Sequence, residues 1–209
     1  MNQENLIQVD PDHYDFSYDT RKRFIGYWHQ INEVMNLDPE QVLEIGVGNK
    51  TVADQLRKYG VKVVPLDIDK RLNPNIVGDV KKLPFKSKSF EVITCFEVLE
   101  HIPFEYFRDA LTELKRVTNS HIVMSLPDAG KYFKFGFKLP HFWEYKKLIN
   151  APFQSREKHE FNGEHYWEIN KKGYPLNKIK KEIEKTGLEI KKTFRPYEHP
   201  YHRFFVLKK

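Results

Sequence analysis

The apolar positions of this chain alternate between two rhythms. Short runs rich in β-branched residues, VLEI at 42–45, VKVVPLDID at 61–69, NIV at 75–77, FEVITC at 90–95 and HIVMSL at 121–126, have the length and composition of buried strands. Between them, apolar residues recur at helical spacing: Phe24, Trp28, Ile31 and Met35 after Asp19 and Thr20; Val52, Leu56 and Tyr59 before Gly60; Phe107, Leu111 and Leu114; Leu176, Ile179 and Ile183 before Gly187. Strands separated by helices predict parallel βαβ units with both sheet faces covered. The last two strands, LEIKKTF at 188–194 and RFFVLK at 203–208, are joined by a short link holding Pro196 and Pro200. A link of that length permits a hairpin and forbids a crossover. The expected fold is α/β, a doubly wound, mostly parallel seven-stranded sheet with an antiparallel C-terminal hairpin.

Bulk properties narrow the class. With 209 residues, 40% hydrophobic and 31% charged, the chain suits a single soluble domain over residues 1–209. No apolar run approaches the roughly 18 residues needed to span a bilayer, and MNQENLIQVD lacks the regions of a signal peptide, so a cytoplasmic location is expected. A lone cysteine, Cys95, excludes an intrachain disulfide and a cysteine-cluster metal site. Charge is uneven. Residues 1–130 balance to −4 and residues 131–209 to +10, so an anionic partner, if there is one, belongs with the C-terminal part. Residues 131–174, after the fifth strand, hold 12 of the 30 aromatic residues, in stretches such as KYFKFGFKLPHFWEY and EHYWEI. That density predicts an ordered insertion, either a cover over a substrate site or a small satellite core.

The chemistry sits where strands end, because ligands of open α/β sheets lie beyond the carboxyl ends of the strands. After the first strand comes EIGVGNK, a glycine turn that lets backbone approach a ligand, with Thr51 placed to cap the next helix. Asp67, ending the second strand, falls at about the 20-residue spacing at which an acid meets ribose hydroxyls. A dinucleotide fingerprint G-x-G-x-x-G/A starting at Gly46 requires Gly or Ala where Thr51 stands, which makes an NAD(P)-binding oxidoreductase the alternative reading. Glu44, two residues before the first glycine, suits a cationic ligand better than a pyrophosphate.

Together, VLEIGVG, the strand ending PLDID, GDVKKLPFKSKSFEVITCFEVLEHIP and IVMSLP resemble the class I S-adenosylmethionine-dependent methyltransferases, in the branch with a methyltransferase type 11 domain. The likeness runs from about Val42 to Pro127. It implies that Glu44, Gly46 and Gly48 hold the methionine part of the cofactor. Asp67 takes the ribose and Ile68 packs on the adenine. Asp79 and Val80 lie at the adenine edge, and Cys95, Phe96 and Glu97 line the region near the sulfonium. Lys50 stands where the family commonly has a third glycine. There it either pairs with the cofactor's carboxylate or opposes the sulfonium, the second case leaving a non-catalytic binding module.

Methyl transfer needs an aimed acceptor and sometimes a base, and no metal for the transfer itself. Glu97 and His101 at the fourth strand, and His165 and Tyr166 in the insertion, are the candidate catalytic groups; Glu100, His141 and His159 are further ionisable residues nearby. No (D/N)PPY-type motif follows the fourth strand, and Cys95 lacks the preceding proline of a nucleophilic cysteine. The favoured acceptor is therefore a small molecule, lipid or sugar conjugate, an anionic one if the basic segment bears on the site, with nucleic acid or protein as alternatives.

Overall fold

A computed structural model describes residue 7 and residues 9–140, 143–151 and 156–209. Its seven-stranded sheet is built from β1 (Gln41–Ile45), β2 (Lys62–Asp67), β3 (Ile76–Val77), β4 (Phe90–Phe96), β5 (Thr118–Pro127), β8 (Glu189–Phe194) and β9 (His202–Lys208). Strand order is β3-β2-β1-β4-β5-β9-β8, and β9 runs antiparallel to both neighbours. The helices are α1 (Arg21–Met35), α2 (Thr51–Lys58), α3 (Phe107–Val117) and α4 (Leu176–Lys185). Among the described residues no helix is long and apolar enough to cross a membrane.

Two-sided burial explains why the strands read as nearly continuous apolar runs. Leu43, Ile93, Ile122 and Phe205 face one layer with Leu111, Leu114 and Ile183, while Val42, Val92, Val123 and Val206 face the other with Val34 and Leu56. The register that stacks them pairs Leu43 with Ile93 and Ile93 with Ile122. Because β1 leaves the sheet between β2 and β4, the chain reverses its winding there, and the carboxyl ends of these three strands border one crevice.

Two local expectations are corrected. Half of the expected stripe on α1 turns out differently: Ile31 and Met35 pack against the core, but Phe24 and Trp28 are 55% and 60% exposed, while Gly26, Gln30, Glu33 and Val34 are buried. The buried Glu33 is paired, meeting Lys192 Nζ at 2.7 Å. Thr51 is the first residue of α2 and not its cap. The cap position is Lys50, in the left-handed region at φ 65°, with Asn49 Oδ1 accepting from Thr51 N at 3.2 Å.

The insertion divides in two. β6 (Tyr132–Lys138) and β7 (Glu144–Asn150) form an antiparallel hairpin with nearly every residue exposed. Further on, Trp167 and Ile169 are fully buried in the main core, and Ile169 N donates to Pro127 O at 3.0 Å. Asp128, just past β5, accepts from Arg203 Nε at 2.7 Å and Asn170 Nδ2 at 2.8 Å, tying this half to the sheet through a buried ion pair.

Candidate functional site

The crevice deepens into a cavity whose wall includes Glu44, Gly46, Gly48, Asp67, Ile68, Asp79, Val80, Phe96, Glu97 and His101. Nine of the ten expected cofactor-binding positions thus lie together. The tenth, Cys95, is a correction: its side chain is buried in the hydrophobic core behind the wall, and burial pushes its thiol up.

The glycine turn is shaped by its neighbours. Gly46 adopts φ 80°, and a Cβ there would lie 2.4 Å from Val98 Cγ2, so only glycine fits. Its N–H donates to Leu66 O at 2.9 Å. Val47 N donates to Asp67 Oδ2 and Asp69 N to Asp67 Oδ1, both at 2.8 Å. Asp67 therefore braces the turn as well as facing the cavity. Burial raises its carboxyl above the ordinary value, against the pull of those backbone donors. Asp79 is not idle either: Lys81 N donates to it at 2.9 Å and Lys81 Nζ lies 3.3 Å away. Lys50 lies off the wall, its Nζ donating to Asn73 O at 3.1 Å.

Glu44 is the wall's electrostatic anomaly. It is 3% exposed, its Oε2 has no hydrogen-bond partner, and burial pushes its carboxyl up to about 8. A buried carboxyl in that condition is held neutral until a cation reaches it.

Beyond β4, Glu97 sits at φ 54°, its Oε2 3.0 Å from His202 Nε2, and its Oε1 is buried without a partner. Glu100 is fully buried with both carboxyl oxygens unpartnered, and burial together with the Glu97 charge drives it well above the usual carboxyl range. His101 Nδ1 lies 3.1 Å from Glu164 O, and burial, aided by neighbouring His165, lowers its pKa to about 4. His165 is in ring contact with His101 at 5.1 Å, and its Nδ1 meets Glu168 Oε1 at 3.0 Å. Tyr166 instead turns outward, 36% exposed and against Phe161. His159 bonds the backbone oxygen of His165 at 2.8 Å, and His141 lies outside the described residues. No described residue of 131–174 lines the cavity.

The largest feature that sequence reasoning missed is the N-terminal wall. Val9, Tyr14, Tyr18, Arg23, Tyr27 and Gln30 all face the cavity. Tyr14 lies against Gly48, and Asn49 of the glycine turn donates to Asp19 Oδ1 at 2.7 Å and Tyr27 Oη at 2.9 Å. The only signal was the aromatic and acidic density of DHYDFSYD, which has no period.

Comparison with known proteins bears on family and fold. Residues 43–122 match the family described as "Methyltransferase domain". Among curated relatives, the ribosomal RNA small subunit methyltransferase A of Mycoplasmopsis synoviae (strain 53) is 28% identical over 97 residues, 42% of this chain and 38% of that protein. The ubiquinone biosynthesis O-methyltransferase of Coxiella burnetii (strain Dugway 5J108-111) is 29% identical over 87 residues, 35% of this chain and 37% of that protein. The chain thus spans less than two fifths of the length of either relative in these matches. The solved 1,6-didemethyltoxoflavin-N1-methyltransferase of Burkholderia thailandensis, with 1,6-didemethyltoxoflavin and S-adenosylhomocysteine bound, shares the fold at TM-score 0.62 and 10% identity, over 99% of this chain and 86% of that one.

Proposed function

We propose that the chain, whose residues 43–122 match the methyltransferase domain family, is an S-adenosylmethionine-dependent methyltransferase acting on a small-molecule, lipid or sugar-conjugate acceptor. The observation that carries the reading is Glu44: a buried carboxyl with an unpartnered oxygen on the wall of the cavity, beside a glycine turn, calls for a cationic ligand. A dinucleotide would bring negative charge to that place. Bound S-adenosylmethionine supplies an electrophilic methyl carbon on a sulfonium sulfur.

The residues divide the work of holding it. Glu44, Gly46 and Gly48 are assigned the methionine part. Asp67 is assigned the ribose, since each of its oxygens already accepts one backbone N–H and keeps a lone pair for a hydroxyl. Ile68 and Val80 would flank the adenine with Asp79 at its edge, and Phe96 and Glu97 would border the sulfonium. His101 has its ring on the wall as a candidate catalytic group, and a pKa lowered to about 4 leaves it neutral at pH 7. We assign the insertion to the acceptor side, supported by the His165–His101 contact. The proteins named above are described as acting on ribosomal RNA, in ubiquinone biosynthesis and on 1,6-didemethyltoxoflavin. The small-molecule class is preferred because Tyr14 and Tyr18 of the N-terminal segment line the cavity and offer rings to a compact acceptor.

Titration calorimetry tests the reading. S-adenosylmethionine and S-adenosylhomocysteine should both bind and NAD should not, and Asp67→Ala should weaken binding by about 1–3 kcal/mol. Binding of NAD with no response to either sulfur compound would overturn it.

A further inference from the structure

Three carboxyl oxygens are buried without partners in one small region: Oε1 of Glu97 and both oxygens of Glu100. Two imidazoles reach the same place from different parts of the chain. Ligand atoms of Glu100, His101 and His165 all lie within 4.8 Å of one another. The second ring contacts match those of metal-binding histidines, whose other nitrogen is held by an oxygen. His101 Nδ1 is set by the Glu164 carbonyl at 3.1 Å, and His165 Nδ1 by the Glu168 carboxylate at 3.0 Å, which Tyr201 Oη also holds at 3.0 Å. With its Nδ1 committed, His165 has Nε2 to present to a cation.

We propose that Glu100, His101 and His165 bind one divalent transition cation at the edge of the cavity, with Glu97 close by. Buried carboxylates are rare unless paired or on a metal, and here no lysine or arginine pairs with Glu97 or Glu100 among the described ion pairs. Two imidazoles with one carboxylate suit Zn²⁺, Co²⁺ or Mn²⁺ better than Ca²⁺ or Mg²⁺, which prefer all-oxygen shells. Three protein ligands leave a position open, and because His101 also lines the cavity, that position can take an acceptor oxygen. This last point, favouring an oxygen acceptor, rests on the methyltransferase reading; the cation site does not.

The competing explanation is two adjacent carboxyls sharing a proton, which needs no cation. Full-length protein, stripped with chelator, would be dialysed against Zn²⁺ or Mn²⁺ and titrated with Co²⁺ while visible absorption is recorded. The expected result is one cation per chain, a Co²⁺ d–d band, and at least a 10-fold loss of affinity in His165→Ala and in His101→Asn, each checked for folding by circular dichroism. No stoichiometric binding by the wild type overturns the proposal whatever the variants do, as does unchanged affinity in folded variants. Calorimetry with S-adenosylhomocysteine on the same samples separates the two claims. Metal binding without cofactor binding would sink the functional reading and leave the site standing; cofactor binding without metal would do the reverse.

Discussion

The two halves of the insertion have similar composition and opposite fates. Residues 132–150 carry Phe133, Phe135, Phe137, Trp143 and Tyr145 between 38% and 62% exposed, and one face of that hairpin leans on Tyr197 and Glu198, with Lys134 and Lys146 over the tyrosine ring. Residues 164–174 send Trp167 to zero exposure, its Nε1 donating to Ile102 O at 3.1 Å, with Phe104, Phe107 and Tyr174 packed around it. Aromatic density alone therefore does not identify a core. What differs is whether the sheet offers backbone partners, as Pro127 and Ala129 do for Ile169, and a buried charge to anchor the chain, as Asp128 does for Asn170.

Denaturation of Trp167→Ala breaks the contrast hardest. Removing that side chain should cost about 3–5 kcal/mol of stability, read as a lower urea midpoint at unchanged slope. A loss below about 1 kcal/mol would mean that the second half of the insertion is as loosely held as the first.

A middle-sized effect separates buried acids from exposed lysines. Glu44 has its carboxyl raised from 4.5 to about 8, so the native state keeps a proton that the unfolded chain gives up. Its contribution is complete below about pH 4.5 and is lost as pH rises through 8. His101, lowered from 6.5 to about 4, works in the opposite direction, but only on the acid side of 6.5. Between pH 6.5 and 8 the stability of the ligand-free protein should fall, and Glu44→Gln should shrink that fall. A slope identical in the variant would remove Glu44 as its source, whereas neutralising hairpin lysines should leave the slope unchanged.

The smallest effect is expected on the hairpin itself. Phe135, 51% exposed, should be replaceable by Ser within about 0.5 kcal/mol in the same denaturation assay. A larger loss would show that the aromatic face is covered in solution.

Legibility followed the same division. Strands covered on both faces announce themselves by composition, and strand ends are where an α/β sheet must place its ligand, so Glu44, Gly46, Asp67 and Asp79 were readable in advance. Nothing local distinguishes Trp167 from Trp143. Glu33 on α1 is buried with Lys192, far along the chain, as its partner, and a periodicity count has no access to it. His202, which holds Glu97, is equally remote in sequence. Tyr14 and Tyr18 escaped because a wall built from an irregular segment carries no period at all.

That irregular segment has a kinetic consequence. Asp10 pairs with Arg71 at 3.3 Å, Asp19 holds Asn49, and Arg23 stacks 4.2 Å over Tyr18, so residues 9–20 are strapped across the mouth by a few polar contacts and little buried surface. A ligand released past Tyr14 would have to wait for this segment to lift. Its residence time would then follow the opening rate of the segment more than its own contacts, and two such ligands of very different affinity would differ mainly in how often an opening is followed by escape.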